Sequence, residues 1–269
     1  MTMRSLLVRG MLAGLVAAAA GLLVAWIYGE PQVAGAIAVE EAGAAAEHAH
    51  GAAGHTHGGG HAHGEEEVVG RTVQQTAGLI TALAFYGVAV GGLFSIAFAF
   101  AHGRIGAAGA RGTAALVALL GFAAVVLVPF LKYPPTPPAV GDPDTIGPRT
   151  ALYFGMVALG VLAAVASVIV YRRAVPRLGS WNAGIATAAG SALVMAVTFR
   201  LTPGPGAVPE GFPAGLLWDF RIASLGVQVA VWATLGLLFG ALTERALRRG
   251  APPRTGNAEG GPVPAAPPA

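Results

Sequence analysis

The chain has 269 residues, of which 55% are hydrophobic and 11% are charged, and its mean hydropathy is +0.65. Soluble domains carry about 25% charged residues, so this composition excludes an ordinary water-soluble domain and predicts an integral membrane protein. The net charge of +3 is spread between apolar blocks, which argues against a nucleic-acid-binding face, and the absence of cysteine excludes disulfides and thiolate metal sites.

Six apolar segments are long enough to cross the hydrocarbon core of a bilayer, which is about 30 Å thick. They span 11–28, 76–101, 113–131, 151–171, 181–199 and 222–242, and none contains Asp, Glu, Lys, Arg or His. Because they show no alternation of polar and apolar residues, the sequence predicts helices and not barrel strands. The expected fold class is all-α, a polytopic membrane helix bundle of about six transmembrane helices.

The first segment has two interpretations. Arg4 and Arg9 precede an apolar run, and small residues at 34–38 resemble a signal-peptide cleavage site. Eighteen uncharged residues exceed the usual apolar region of a signal peptide, which favours a retained helix; cleavage would leave five helices. The predicted division is an N-terminal transmembrane helix at 1–28, an outer His-rich loop at 29–75, a five-helix core at 76–249 and a disordered Pro/Ala-rich tail at 250–269.

Charges between the segments predict an orientation. With the N-terminus inside, eleven of the sixteen basic residues lie in inner segments and eleven of the thirteen acidic residues lie in outer ones. Cytoplasmic loops carry an excess of Lys and Arg. The sequence therefore predicts a multi-pass protein of the bacterial inner membrane with both termini in the cytoplasm.

A histidine tract lies in the predicted outer loop. Three His-x-His pairs fall within sixteen residues and an acidic triplet follows them, so the candidate metal ligands are His48, His50, His55, His57, His61, His63, Glu65, Glu66 and Glu67. Neutral imidazole is the commonest protein ligand for transition metals, whereas the spacing matches no closed structural zinc site. The tract predicts an exchangeable metal site, and the alternative is a solvated low-complexity linker whose histidines bind nothing.

The predicted helices contain few polar side chains, and Gln228 is the most informative of them. A carboxamide inside a membrane helix needs a polar partner or a water-lined path, so Gln228 is a candidate pathway residue. Asp219 and Arg221 stand at the mouth of the last segment. Either could line an entrance, although capping of the helix N-terminus is the simpler interpretation of Asp219.

Small residues recur four apart in or directly beside three of the segments, at Gly10 and Gly14, Gly87 and Gly91, and Gly236 and Gly240. This spacing allows close approach of helix backbones and is interpreted as packing. The chain contains no phosphate-binding P-loop, nucleophile elbow or zincin motif, which argues against an enzyme.

Several motifs resemble the predicted cobalt transporter subunit family CbtA. The most specific are the run 130–135 continuing through 137–141, the run 149–153, and the late run 209–213 with Trp218, Phe220 and Arg221. The resemblance extends over nearly the whole chain to about Arg249. It implies cobalt import tied to cobalamin synthesis, commonly beside a small one-helix CbtB partner.

The leading hypothesis is therefore an uptake subunit for a divalent transition-metal ion, with cobalt first and nickel or zinc as alternatives for the transient ion. The expected partners are membrane lipid and a CbtB-like subunit or a second copy of the chain, with no nucleic acid. Two other functions stay open: a non-transporting membrane metal-binding protein (buffer, sensor or assembly factor), and a metal exporter.

Overall fold

The computed structural model describes residues 2–51, 77–104, 108–141 and 143–249, with the side chains of 46–51 left out of the description. Every extended regular element in these ranges is a helix, so the all-α prediction is confirmed. The α-helices are α1 Met3–Val24, α2 Glu30–Gly51, α3 Leu79–Ala101, α4 Ala110–Phe122, α5 Val128–Lys132, α6 Ile146–Leu201 and α7 Ala214–Arg249. Single π-helical turns join α1 to α2 (Ala25–Gly29) and α4 to α5 (Ala123–Leu127), and a 3-10 turn (Pro143–Thr145) precedes α6.

Five continuous helical units in the described ranges are long and apolar enough to span a membrane: Met3–Ala45, Leu79–Ala101, Ala110–Lys132, Ile146–Leu201 and Ala214–Arg249. The fourth unit, which is 56 residues long, contains two of the six predicted segments, 151–171 and 181–199. The multi-pass helical architecture is thus as predicted, and the count of six depends on whether this long unit crosses once or twice.

Helix α6 is a hairpin of two arms. Gly179 interrupts it with φ 73° and ψ 165°, a region of backbone space that only glycine occupies readily. The Oγ atoms of Ser167 and Ser191 lie 2.6 Å apart, although 24 residues of straight helix would separate them by about 36 Å. The chain therefore folds back at Gly179, and the predicted separation into two helices is correct with a one-residue connection.

The first helix continues beyond its predicted end. Residues from Glu30 to Gly51 are helical, so the expectation of a loop conformation from residue 29 is wrong as far as Gly51. This stretch is rich in Ala and Glu, which are strong helix formers, and the π turn carries the helix through the predicted boundary without a break. Hydropathy alone finds where a helix leaves lipid and not where it ends.

The core of the bundle is built from very close helix contacts. A Cβ atom added at Gly10 or Gly14 of α1 would overlap the backbone of α3 at Gly91 or Gly87. One added at Gly236 of α7 would lie 2.6 Å from Ala118 of α4. The interpretation of the glycine pairs as packing is confirmed, because in lipid such contacts supply the attraction between helices.

Aromatic side chains fill the space beside these contacts. Phe239 of α7 packs edge to face against Phe94 and Phe98 of α3, with ring centroids 5.3 Å and 5.0 Å apart. All three rings are almost completely buried. Helices α1, α3, α4 and α7, which share these contacts, form a unit that we call the compact core.

The connections define the two ends of the bundle. At one end, which we call the loop end, segments 133–141 and 202–213 meet: Tyr133 Oη donates to the Pro203 carbonyl, and Lys132 Nζ donates to the carbonyls of Phe199 and Thr202 at 2.7 Å and 3.1 Å. At the opposite end, which we call the arginine end, Glu244 pairs with Arg111 and Arg248 at 2.5 Å. The hairpin turn at Gly179 lies at the arginine end as well, because α6 starts and finishes at the loop end.

Candidate functional site

A cavity of about 660 Å³ lies at the loop end, between the compact core and the first arm of α6. Its walls come from α3, the α4–α5 unit, α6 and α7, and segments 133–136 and 204–207 contribute to its rim. Concave sites of this size, mostly apolar with a few convergent polar groups, are typical of small-ligand binding. The polar residues that line it are Tyr86, Tyr133, Thr136, Arg149, Thr150, Tyr153, Arg221, Ser224 and Gln228.

Gln228 has both features that a buried carboxamide needs. Tyr86 Oη on α3 donates to Gln228 Oε1 at a distance of 3.0 Å, which links α3 to α7. Gln228 also lines the cavity. With its carbonyl oxygen accepting from the tyrosine, the amide nitrogen retains two N–H donors for whatever occupies the cavity.

Arg149 stands near the start of α6 and reaches the cavity because of a glycine. Gly141 has φ 117°, and a Cβ added there would overlap the Arg149 guanidinium. Both the positive φ and the close approach require glycine. Gly141 therefore allows the Arg149 guanidinium to pack against the 133–141 segment. A Cβ added at Gly206 would lie 3.8 Å from Arg149 Cδ, which puts the same side chain beside the second loop.

Arg221 lies on α7 two turns after the helix begins. Its Nε atom donates to the Pro135 carbonyl at 3.5 Å, so the terminal nitrogens of the guanidinium are not used in this bond. Neither Arg149 nor Arg221 forms an ion pair with an acidic side chain among the residues that the structure describes. The cavity therefore contains two positive charges that no described carboxylate neutralises.

The rim segment is strained next to this cavity. Ala139 has φ 64°, a left-handed value that is uncommon for any residue with a Cβ. The adjacent Val140 is 7% exposed and lines the cavity, and its N–H donates to the Pro137 carbonyl at 3.3 Å. Strained backbone persists where the surroundings fix it, and such positions cluster at functional sites.

The structure brings together only part of the predicted site. Asp219 is exposed and does not line the cavity. The expectation that it caps the last helix is wrong, because α7 begins at Ala214 and Asp219 lies beyond its first turn. Arg221, considered as an entrance residue, does line the cavity.

The predicted metal ligands cannot be compared with the cavity. His48 and His50 lie near the end of α2, and their side chains are outside the description, as are His55, His57, His61, His63, Glu65, Glu66 and Glu67. Within the described ranges, no three His, Asp or Glu side chains lie close enough to hold a metal ion. Metal coordination by the tract stays a prediction.

Sequence reasoning singled out only Gln228 and Arg221 among the polar cavity residues. It missed Arg149 and the three tyrosines Tyr86, Tyr133 and Tyr153, since a tyrosine in or beside an apolar helix gives no signal of its own. These residues are grouped by contacts between side chains that are distant in sequence, such as Tyr86 and Gln228. One available signal was the pair of arginines at the loop end, each next to an apolar segment.

The family model described as probable cobalt transporter subunit (CbtA) matches residues 3–244. This match covers all the helices of the bundle except the last five residues of α7. The chain belongs to this family. No curated protein and no solved structure matches it.

Proposed function

From this family membership, we propose that the chain is an inner-membrane subunit for the uptake of a divalent transition-metal ion, and that the ion is cobalt. The observation that carries the proposal is the match of a cobalt transporter subunit model over 3–244, together with helical units that fit a multi-pass membrane protein. The ion is cargo, and no enzymatic step is assigned to the chain.

The proposed orientation directs the loop end outwards. The arginine end contains Arg4, Arg9, Arg104, Arg111, Arg172, Arg173, Arg177, Arg245, Arg248 and Arg249, and such an excess of basic residues favours the cytoplasmic side. A divalent cation moving inwards then gains about 4.6 kcal/mol per 100 mV of membrane potential.

In this orientation, the end of α2, which contains His48 and His50, lies beyond the loop end on the outer side. Gly35 is the position at which α2 packs against Leu216, and His48 follows thirteen residues later. At 1.5 Å per residue the tract begins about 20 Å beyond that contact. We propose that its imidazoles collect the scarce external ion and raise its concentration near the bundle.

The orientation can be tested first, because the chain has no cysteine. Gly43→Cys places a thiol on an exposed part of α2, and Ser180→Cys places one at the arginine end. An impermeant maleimide added to intact cells is expected to label Gly43→Cys and to spare Ser180→Cys until the membrane is opened. The opposite pattern would remove the external capture site and the import proposal with it.

Capture is tested by labelled-cobalt accumulation in cells that contain the full-length chain with all six tract histidines changed to alanine. We expect slower uptake than wild type at low external cobalt and equal uptake when cobalt is abundant, because only capture is impaired. The matched control changes Glu30, Glu40 and Glu41 of α2 to Gln. Equal uptake by wild type and the histidine variant at every concentration would exclude a role for the tract.

Two other functions give different results in vesicles. A non-transporting metal-binding protein would bind cobalt without moving it across the bilayer, and an exporter would move it from the arginine-end side to the loop-end side. Proteoliposomes of the purified chain, with and without a small one-helix partner subunit, separate these functions from uptake by the presence and direction of flux.

A further inference from the structure

We propose that the loop-end cavity binds an oxyanion group, a carboxylate or phosphate, and not a bare metal cation. This inference goes beyond cobalt uptake and does not depend on the histidine tract. It assigns a ligand class to a cavity that the family description leaves unassigned.

Charge is the first argument. Arg149 and Arg221 both line the cavity, whereas no Asp, Glu or His is among the lining residues that the structure describes. A divalent transition-metal cation in this space would meet two like charges and no described carboxylate or imidazole, the side chains that would bind it. An oxyanion would meet the opposite situation, in which each guanidinium offers paired N–H donors that match a carboxylate or phosphate.

Hydrogen-bond polarity is the second argument. The carbonyl oxygen of Gln228 accepts from Tyr86, which leaves the amide N–H groups as donors, and the Tyr153 hydroxyl lines the same space. The Ser224 hydroxyl donates to its own helix at the Phe220 carbonyl, 2.8 Å away. The proton of Ser224 is therefore used within α7, and the donors available to the cavity are the guanidinium groups, the Gln228 amide and the Tyr153 hydroxyl, as an acceptor-rich ligand requires.

The construction of the site is the third argument. Gly141 admits the Arg149 guanidinium through the absence of a Cβ, and Arg221 is held to the Pro135 carbonyl through Nε. Both arginines are therefore held by the segment 133–141, which includes the strained residue Ala139. Two cations that line one cavity and contact one fixed segment form a preorganised site for a multivalent anion.

The oxyanion has two sources that share this chemistry: a free small anion from the outer solution and the phosphate headgroup of an anionic lipid. The first arm of the experiment titrates citrate and inorganic phosphate into the full-length chain in a neutral detergent and measures affinity by calorimetry. The second arm measures retention of phosphatidylglycerol against phosphatidylcholine by native mass spectrometry.

The variants are Arg149→Gln and Arg221→Gln, with Arg200→Gln as the matched control. Arg200 is an exposed arginine in the last turn of α6, at the same end of the bundle, and does not line the cavity. We expect each cavity variant to weaken binding of the anion by about tenfold to a hundredfold, since one charge-assisted bonding partner is lost. The control is expected to retain wild-type affinity.

Arginine-dependent binding of citrate or phosphate supports the proposal with a free anion as ligand, and arginine-dependent retention of phosphatidylglycerol supports it with a lipid as ligand. Absence of binding in both arms of the wild type overturns it, and so does binding that neither arginine variant weakens. Binding of cobalt alone that is lost in Gln228→Leu and retained in both arginine variants also overturns it. If Arg149→Gln does not fold, Arg149→Lys takes its place, with an intermediate affinity expected because charge is retained and the paired donors are lost.

Discussion

The compact core and the α6 hairpin are both membrane-type helices, yet they are packed in different ways. Nine of the 36 residues of α7 are buried in the bundle, whereas only Met156, Gly160 and Ala183 are buried among the 56 residues of α6. Large apolar side chains of α6 such as Phe154, Leu162 and Leu193 are more than 60% exposed. In lipid this exposure has little cost, because the hydrocarbon chains are as apolar as leucine.

The difference shows what holds a helix in this protein. The core helices approach until their backbones touch, and the hairpin is attached along one side, where a Cβ added at Gly160 would overlap the Ala124 carbonyl, and at the loop end through Lys132. The cavity lies along this attachment. A ligand site between a tightly packed unit and a loosely attached one can open without disturbing the core.

The largest expected effect is on the core. Gly14→Ala places a Cβ where the Gly87 carbonyl of α3 already lies, so α1 and α3 must separate. We expect a loss of about 3 kcal/mol in the free energy of unfolding. The matched control is Gly155→Ala on α6, where no atom lies within 4 Å of the added Cβ. Thermal unfolding in detergent measures both variants, and equal stability of the two would contradict the distinction between core and hairpin.

A smaller effect is expected at the turn of the hairpin. Gly179→Ala forces a residue with a Cβ into a glycine-only conformation, at a cost of about 1–3 kcal/mol. The arms are expected to lose their register while the core stays folded.

Register can be measured by cross-linking, because the chain has no other thiols. In the double variant Ser167→Cys and Ser191→Cys, mild oxidation is expected to join the arms, since the native Oγ atoms lie 2.6 Å apart. Adding Gly179→Ala should lower the yield of the cross-link. An unchanged yield would mean that the turn tolerates a side chain.

The smallest effects distinguish two interhelical hydrogen bonds. Tyr86→Phe removes the sole described hydrogen bond of Gln228 to another helix, and we expect it to cost about 0.6 kcal/mol of stability, the average for such bonds in membranes. Ser167→Ala is expected to cost less, because Ser191 still donates to the Thr187 carbonyl of its own helix. Unfolding measured at matched detergent concentration ranks the two, and a greater loss in Ser167→Ala would show that the hairpin depends on this contact more than the core depends on Tyr86.

Much of the fold could be predicted from the sequence because the physical signals are local. Length and the absence of charge predict each membrane segment, and glycine pairs four apart predict the close contacts of α1, α3 and α7. The ends of the helices were harder to predict from the sequence. The first helix continues to Gly51 because the residues beyond lipid favour helix by themselves, and α7 begins at Ala214, eight residues before its predicted start.

The sequence by itself determined that this chain is a multi-pass helical membrane protein and pointed to its family, since composition, periodicity and motifs are properties of neighbouring residues. Only the tertiary structure decided which polar side chains share a space. Tyr86 and Gln228 are 142 positions apart, and Arg149 and Arg221 are 72 apart, yet all four line one cavity. Such groupings depend on which helices pack against one another, and a glycine pair marks a close contact without identifying the helix that it meets.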